Sequence, residues 1–340
     1  MPLPLVSIIT VTYNHGKYLG ECINSVVQQS YKDWEMIIID DGSTDETEKI
    51  SQNYMERDSR IRYFKQSNHG IFKLSETYNT ALEKSAGKYV AILEGDDIWK
   101  SGKLEKQIQE MESDTEIVLA WGKVEAIDAT TKKVLDVFPH STDNENWYPN
   151  KPTGSFLNLL YLEDPIPAPT LIIRKSMLDA IGGFQQFAGL PTTDLPTLLE
   201  LVKRGLFYYD GQVLAQWRQY GIQTTKLYPV EMITRRREMV NKHLNMLDDC
   251  FKKELIITKK MINSYFDDKM LITYARSGRY RLLRRDFSGA RKDYLRTIFY
   301  KGVKHPLWRI RAIIGFIFSL FGMDIEKFAA LLGRISYKRE

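Results

Sequence analysis

The chain has 340 residues, 43% hydrophobic and 12% aromatic, which excludes a disordered or fibrous protein and suffices for one large core or two unequal ones. Its two cysteines, Cys22 and Cys250, lie far apart and its five histidines show no ligand spacing, which argues against structural zinc and for a reducing, cytoplasmic setting. The net charge of +5 divides unevenly: residues 1–225 hold 22 Lys+Arg against 31 Asp+Glu, residues 226–340 hold 26 against 12, giving −9 and +14. That split predicts an acidic catalytic or binding part and a basic part that meets anions.

The start, MPLPLVSIIT, has neither a basic n-region nor a long apolar run, so no signal peptide is expected. Val6–Val11 reads as a strand followed by the turn TYNHG, and Leu19, Ile23, Val26 and Val27 recur at helical spacing. Met36–Ile39 is a second strand closed by DDGSTDE, where Ser43 and Glu46 form a capping box for a helix through Tyr54. Ile61–Phe64 is a third strand, Leu74–Lys84 a helix, and Tyr89–Leu93 a fourth strand. Ser101 then caps a helix with Leu104, Ile108 and Met111 on one face. This alternation predicts an α/β fold with a mostly parallel central sheet flanked by helices.

From Ile117 the rhythm loosens. Val118–Ile127 and Lys133–Phe138 pair across the turn Asp128–Lys132, and residues 139–169 read as a long loop that covers a site. Leu171–Arg174, a helix from Lys175, the GGF at 182–184, a helix from Asp194 to Arg204, and Phe207–Leu214 complete a first domain to residue 225. Residues 226–340 read as a basic helical extension, with Leu271–Arg284 and Asp286–Phe299 as a helical hairpin.

Two strands end in acid pairs, Asp40-Asp41 and Asp96-Asp97, and Glu94 crowds the second. In a parallel α/β sheet ligands bind outside the carboxyl ends of the strands, so both pairs should face one crevice. Asp-Gly turns and helix caps account for many acids after strands. Here Ser43 and Ser101 already serve as caps, which leaves clustered hard oxygens for a divalent cation, Mg2+ or Mn2+, carrying phosphates. Asp194 opens a helix bearing Leu198, Leu199, Leu201 and Val202, so it is an N-cap or a general base, with Thr192 and Thr193 as rival caps. Both cysteines read as packing residues.

The segment VSIITVTYNHGKYLGECINSVVQQSYKDWEMIIIDDGSTD resembles the opening of family 2 glycosyltransferases, inverting enzymes of the GT-A fold. LEGDDIW resembles their DxD motif, and RKSMLDAIGGF with TTDLPTLLELVKRG their acceptor-side segment. The resemblance implies a nucleotide-diphospho-sugar donor, a UDP-sugar by family habit, and a glycan or lipid-linked acceptor in surface polysaccharide synthesis. It implies donor-binding roles for Thr12, Tyr13, Asn14, Asp41 and Asp96, with Tyr13 lining the base pocket and Asp41 bonding the base; apart from the resemblance, the charge gathering on a leaving diphosphate suits a metal and Lys73. Asp97 and Asp96 would ligate the metal, and Asp194 would be the catalytic base. Thr193 stands where the family usually has Glu, Glu94 where it often has Asp, and Tyr220 where WRQY departs from an aromatic-Arg-x-His group.

Ala312–Met323 carries no charge and is too short to span a bilayer, which needs about 20 apolar residues. Trp308, Arg309 and Arg311 just before it suit a helix lying on an anionic membrane at its cytoplasmic face, and the rival reading is a helix buried against the catalytic domain. No RNA-binding signature accompanies the charge. Two other functions compete: an inactive nucleotide- or glycan-binding module, against which Asp97 and Asp194 stand together, and a nucleotidyltransferase, which would open with a basic Gly-rich loop rather than TYNHG.

Overall fold

The structure is a computed structural model that describes residues 5–140, 154–163, 165–221, 223–301 and 305–323. Two compact units emerge: residues up to 219 with 247–256, and residues 220–246 with those from 257 onward. The first unit begins with β1 (Val6–Thr12), α1 (Gly16–Val27), β2 (Trp34–Asp40), α2 (Thr47–Arg57), β3 (Ile61–Lys65), α3 (Leu74–Glu83) and β4 (Tyr89–Ile92). It continues with β5 (Ile98–Trp99), α4 (Lys103–Ser113), β6 (Ile117–Asp128), β7 (Val134–Phe138), α5 (Gly154–Leu162), β8 (Ile172–Arg174), α6 (Lys175–Ala180), α7 (Asp194–Leu201) and β9 (Leu206–Gln219). The chain then forms α8 (Thr224–Leu227), α9 (Pro229–Met246), α10 (Asp249–Lys252), α11 (Lys259–Leu283), α12 (Phe287–Ile298) and α13 (Pro306–Leu320).

One α/β sheet organises the first unit, in the order β3-β2-β1-β4-β8-β6-β9-β5, with β7 added to β6. The alternating half, β3-β2-β1-β4, is parallel. Beyond it β8 runs antiparallel to β4 and β6, and β5 antiparallel to β9, so the whole sheet is mixed. Every residue of β1 and β2 is buried, which is why these strands read as unbroken apolar runs. α1 contributes Leu19, Ile23 and Val26 to the same core as Leu104, Ile108 and Met111 of α4. The parallel register pairs Thr12 with Asp40 and Ile9 with Ile92, so the acid pairs that follow β2 and β4 emerge at the same, carboxyl end of the strands.

The hairpin of β6 and β7 forms as read from the sequence. The two caps do not. Ser43 Oγ accepts the Asn14 N–H instead, and Asp45 accepts from the first N–H of both α1 and α2, Gly16 (2.9 Å) and Thr47 (3.0 Å). α4 begins after Gly102, whose left-handed φ of 75° makes the turn, so Ser101 is not its cap. The loop expected at 139–169 contains α5, in which Phe156, Leu157, Leu159, Leu160 and Tyr161 are buried; residues 141–153 lie outside the described residues. A helix apolar on nearly every face gives no 3.6-residue rhythm, so polar flanks hid it.

At the opposite edge from the acid pairs, Glu35 is buried yet fully partnered. It accepts from Ser7 Oγ (2.7 Å), Ala86 N–H (2.7 Å) and Arg62 (3.1 Å), joining four consecutive segments. Glu35→Leu should therefore strand three donors and cost roughly 2–4 kcal/mol in denaturant unfolding, without changing nucleotide-sugar affinity in protein that remains folded.

Candidate active site

β4 ends at Ile92, but its bonding to β1 runs on: Leu93 N–H donates to Ile9 C=O (3.0 Å) and Gly95 N–H to Val11 C=O (3.2 Å). Gly95 presses so near β1 that a Cβ there would lie 2.6 Å from Thr12 Oγ1. Asp97 N–H donates back to Glu94 C=O (3.1 Å), and this tight turn gathers Glu94, Asp96 and Asp97. One oxygen from each lies within 4.8 Å of the others. His15 Nδ1 stands 4.0 Å from Asp96.

The turn rests on a buried cation. β5 leads from Asp97 into the sheet beside β9, which returns Arg218 beneath the acids. Arg218 N–H donates to Asp97 Oδ1 (3.1 Å), its Nε to Asp96 C=O, and its Nη2 to Glu21 (2.6 Å), while its side chain is fully buried. Lys132 also donates to Glu21 (2.7 Å), and the Tyr18 ring faces the guanidinium at 5.0 Å.

Burial, then the charges of Asp96 and Asp194, push the Glu94 carboxyl up to about 8, against a lowering hydrogen bond from Tyr78 OH (3.0 Å). Burial, then Asp96 and Glu94, holds Asp97 well above the usual carboxylate range, with Arg218 opposing. Burial, then the charges of Asp97 and Asp96, raises the Cys22 thiol, with Arg218 opposing, so it is packing rather than a nucleophile.

Asp194 is half-buried at the first position of α7; Thr193 is the N-cap and makes no side-chain capping bond. The charge of Asp194 helps to raise both Glu94 and Tyr78, after burial in each case, so its field reaches them. Its approach segment is pinned to α3. Asn79 binds both the N–H and C=O of Phe184, whose ring packs on Tyr78 at 4.9 Å. Gln186 bonds Ser75 N–H and Ile71 C=O. Gly183, at φ 87°, lies where a Cβ would sit 2.3 Å from Asn79 Oδ1.

The donor-side residues fall into two groups. Thr12 is buried against Gly95, and Tyr13 is 48% exposed at the mouth. Asn14 ties its loop to the next, its Oδ1 accepting from Thr44 N–H (2.9 Å). Asp41 accepts from Gln66, His69 N–H and Gly70 N–H, so its carboxylate orders the loop after β3. Lys73 is exposed and pairs with Glu76 at 3.6 Å. Reading the sequence missed Tyr78 and the Arg218–Glu21 pair; the Arg in WRQY was the available signal, but its partners lie 121 or more positions away.

A family model described as glycosyl transferase family 2 matches residues 7–182. A Bacillus subtilis protein named as a teichuronic acid biosynthesis glycosyltransferase, TuaG, is 35% identical over 219 residues, 63% of this chain and 79% of that one. A Rickettsia prowazekii protein named as a glycosyltransferase is 29% identical over 266 residues, 78% of each chain. Among solved structures, S. aureus TarS 1–349 in complex with UDP-GlcNAc matches with TM-score 0.57 at 15% identity, over 98% of this chain and 93% of its own. The mannosyltransferase PcManGT from Pyrobaculum calidifontis, in complex with GDP-Man and Mn2+, matches with TM-score 0.51 at 11% identity, over 94% and 88%. These likenesses show the GT-A fold.

Arg218→Met would take the buried positive charge from beside Asp97 and leave Asp96 C=O without a donor, while the half-exposed Glu21 keeps Lys132. It should cost about 3–5 kcal/mol by denaturant unfolding, the usual result of breaking a buried pair from one side. Glu21→Gln keeps an oxygen that can accept from Arg218 and leaves the nearby acids to balance the guanidinium, so it should cost about 1 kcal/mol. Equal losses for the two would show that the buried guanidinium is not what the turn rests on.

Proposed function

We propose a reaction for this chain from the premise that it belongs to glycosyl transferase family 2: it moves a sugar from a UDP-sugar to a glycan or lipid-linked acceptor in cell-surface polysaccharide synthesis, with inversion. The observation that carries the reading is the convergence of Glu94, Asp96 and Asp97 at the end of β4, and the electrostatic reach of Asp194 to Glu94 supports a role for it there. The name of the B. subtilis relative supports the polysaccharide setting, and the UDP-GlcNAc bound to TarS supports the donor class. Residues 1–225 form the catalytic domain and residues 226–340 a basic extension that keeps the protein at the cytoplasmic face of a membrane. No helix among the described residues is long and apolar enough to cross one.

The carboxylates suit a hard divalent ion, because three oxygens within 4.8 Å repel one another unless a cation lies among them. Asp97 and Asp96, with Glu94, would hold Mn2+ or Mg2+, which when bound offsets the charge gathering on the leaving diphosphate. Tyr13 lines the base pocket beside Thr12 and Asn14. Asp41 uses three of about four acceptor positions on its loop, leaving one for a nucleobase N–H. Lys73 would turn from Glu76 toward the diphosphate.

Asp194 takes the proton of the acceptor hydroxyl. The freed oxygen bonds to the anomeric carbon on the face opposite the diphosphate, and the carbon–oxygen bond to the diphosphate breaks with its electron pair. The product is free nucleoside diphosphate, and pyrophosphate in its place would sink the reading.

Asp97→Asn keeps the side chain's shape and removes a charge, so Mn2+-dependent UDP binding should weaken at least ~10-fold by calorimetry while the thermal transition persists. Unchanged Mn2+-dependent affinity would refute the ligand role. Asp194→Asn should leave UDP-sugar affinity nearly intact and lower transfer by at least ~10²-fold in a product-release assay, the usual scale for a lost general base. Near-normal turnover would reduce Asp194 to part of the first turn of α7.

A further inference from the structure

α13 packs with its small residues inward and its large ones outward. Ala312, Gly315 and Ser319 are its buried positions. Gly315 is pressed against Tyr294 of α12 so closely that a Cβ would lie 2.3 Å from the ring, and Gly278 of α11 meets the same ring. Leu307, Ile310, Ile313, Ile314, Ile317 and Leu320 form the opposite face and are all exposed, Leu307 at 66%. Arg311 is the one charged residue exposed along the helix.

In water the hydrophobic effect favours the reverse arrangement, isoleucines against the protein and small residues outside. Small residues at the helix contact and large apolar ones outward is the rule where the surroundings are hydrocarbon. α13 is 15 residues long, about 22 Å at 1.5 Å per residue, against about 30 Å of bilayer core, so it lies along a membrane rather than through it. At its start Trp308 sits between Arg311 (4.9 Å) and Arg276 (5.5 Å), an arrangement suited to headgroup level.

We infer that this face is a docking surface for an anionic lipid bilayer, which deepens the membrane placement proposed above by naming the element and the lipid charge. Charge complementarity favours lipid over a second copy of the chain. Residues 226–340 carry a net +14, and a two-fold pairing through α13 would set that basic surface against itself. Arg309, expected from the sequence to meet head groups, is engaged inside the unit: it donates to Ile298 C=O and Tyr300 C=O (2.8 Å), closing the end of α12.

The test is flotation of the full chain with vesicles of phosphatidylcholine, with and without phosphatidylglycerol. Binding should require phosphatidylglycerol and weaken as salt rises, since exposed charge attraction is screened over about 10 Å at 0.1 M. The double variant Ile313→Asp/Ile317→Asp should lower partitioning at least ~100-fold, from the worth of burying two such side chains. Its melting temperature, mass in solution and donor hydrolysis should not change. The surface is refuted if the chain ignores anionic vesicles at low salt, or binds neutral ones equally. A lower melting temperature in the variant would mean that the chain's own residues cover the face, and a halved mass that a second copy does; either overturns the proposal. A chain that binds vesicles but releases no nucleoside diphosphate would sink the reaction and leave this surface standing.

Discussion

Three carboxylates held within 4.8 Å of one another set the terms for the rest of the first unit. Two unit charges about 4 Å apart repel by about 4 kcal/mol at an effective dielectric constant of about 20, a large fraction of a domain's whole stability. A chain left to itself would splay them. Here the spacing is imposed from three sides: by backbone bonds that carry β4 past its last residue along β1, by Gly95 against Thr12, and by Arg218 below. Proton uptake is the local response, which is why burial and neighbouring charges push Glu94 up to about 8.

The contrast with the unit's other structural acids separates architecture from chemistry. Glu35 meets three donors, Asp40 binds Ser43 N–H and the Tyr63 hydroxyl, and Asp45 accepts from the first N–H of two helices. Each is matched by groups that favour its charge, so each needs no ligand. Asp41 stands between the two kinds, ordering the loop after β3 while keeping spare acceptor capacity. The count of acids near a strand end is therefore a poor guide. Whether they face donors or one another is the physical distinction.

The sequence showed the parallel half of the sheet well, because β1, β2 and β4 are buried on both faces and appear as unbroken apolar runs. The acid pairs were legible for the same reason: charge at the end of such a run has no place in a core. What stayed hidden depends on distant partners. Arg218 takes its meaning from Asp96, Asp97 and Glu21, reached only once β5 and β9 pair. The caps failed on a local competition, since Asp45 and the left-handed Gly102 set the helix starts that Ser43 and Ser101 seemed placed to set. α5 was lost because it is apolar nearly all round.

The C-terminal helix shows a different limit. Reading Ala312–Met323 as either buried or lying on lipid supposes that a helix has one apolar face, the one its composition advertises. α13 has two, sorted by size rather than polarity: Ala312, Gly315 and Ser319 inward, the isoleucines outward. Hydropathy cannot separate them, because alanine and isoleucine both count as apolar, yet they do different work. Small side chains let two backbones approach, and large ones gain from an apolar medium. The partner ring decides which is which, since Tyr294 fills the space that side chains at Gly315 and Gly278 would need. Substituting Gly315 would push α13 off the Tyr294 ring, and substituting Gly278 would push that ring off α11, without altering the hydropathy that suggested a membrane at all.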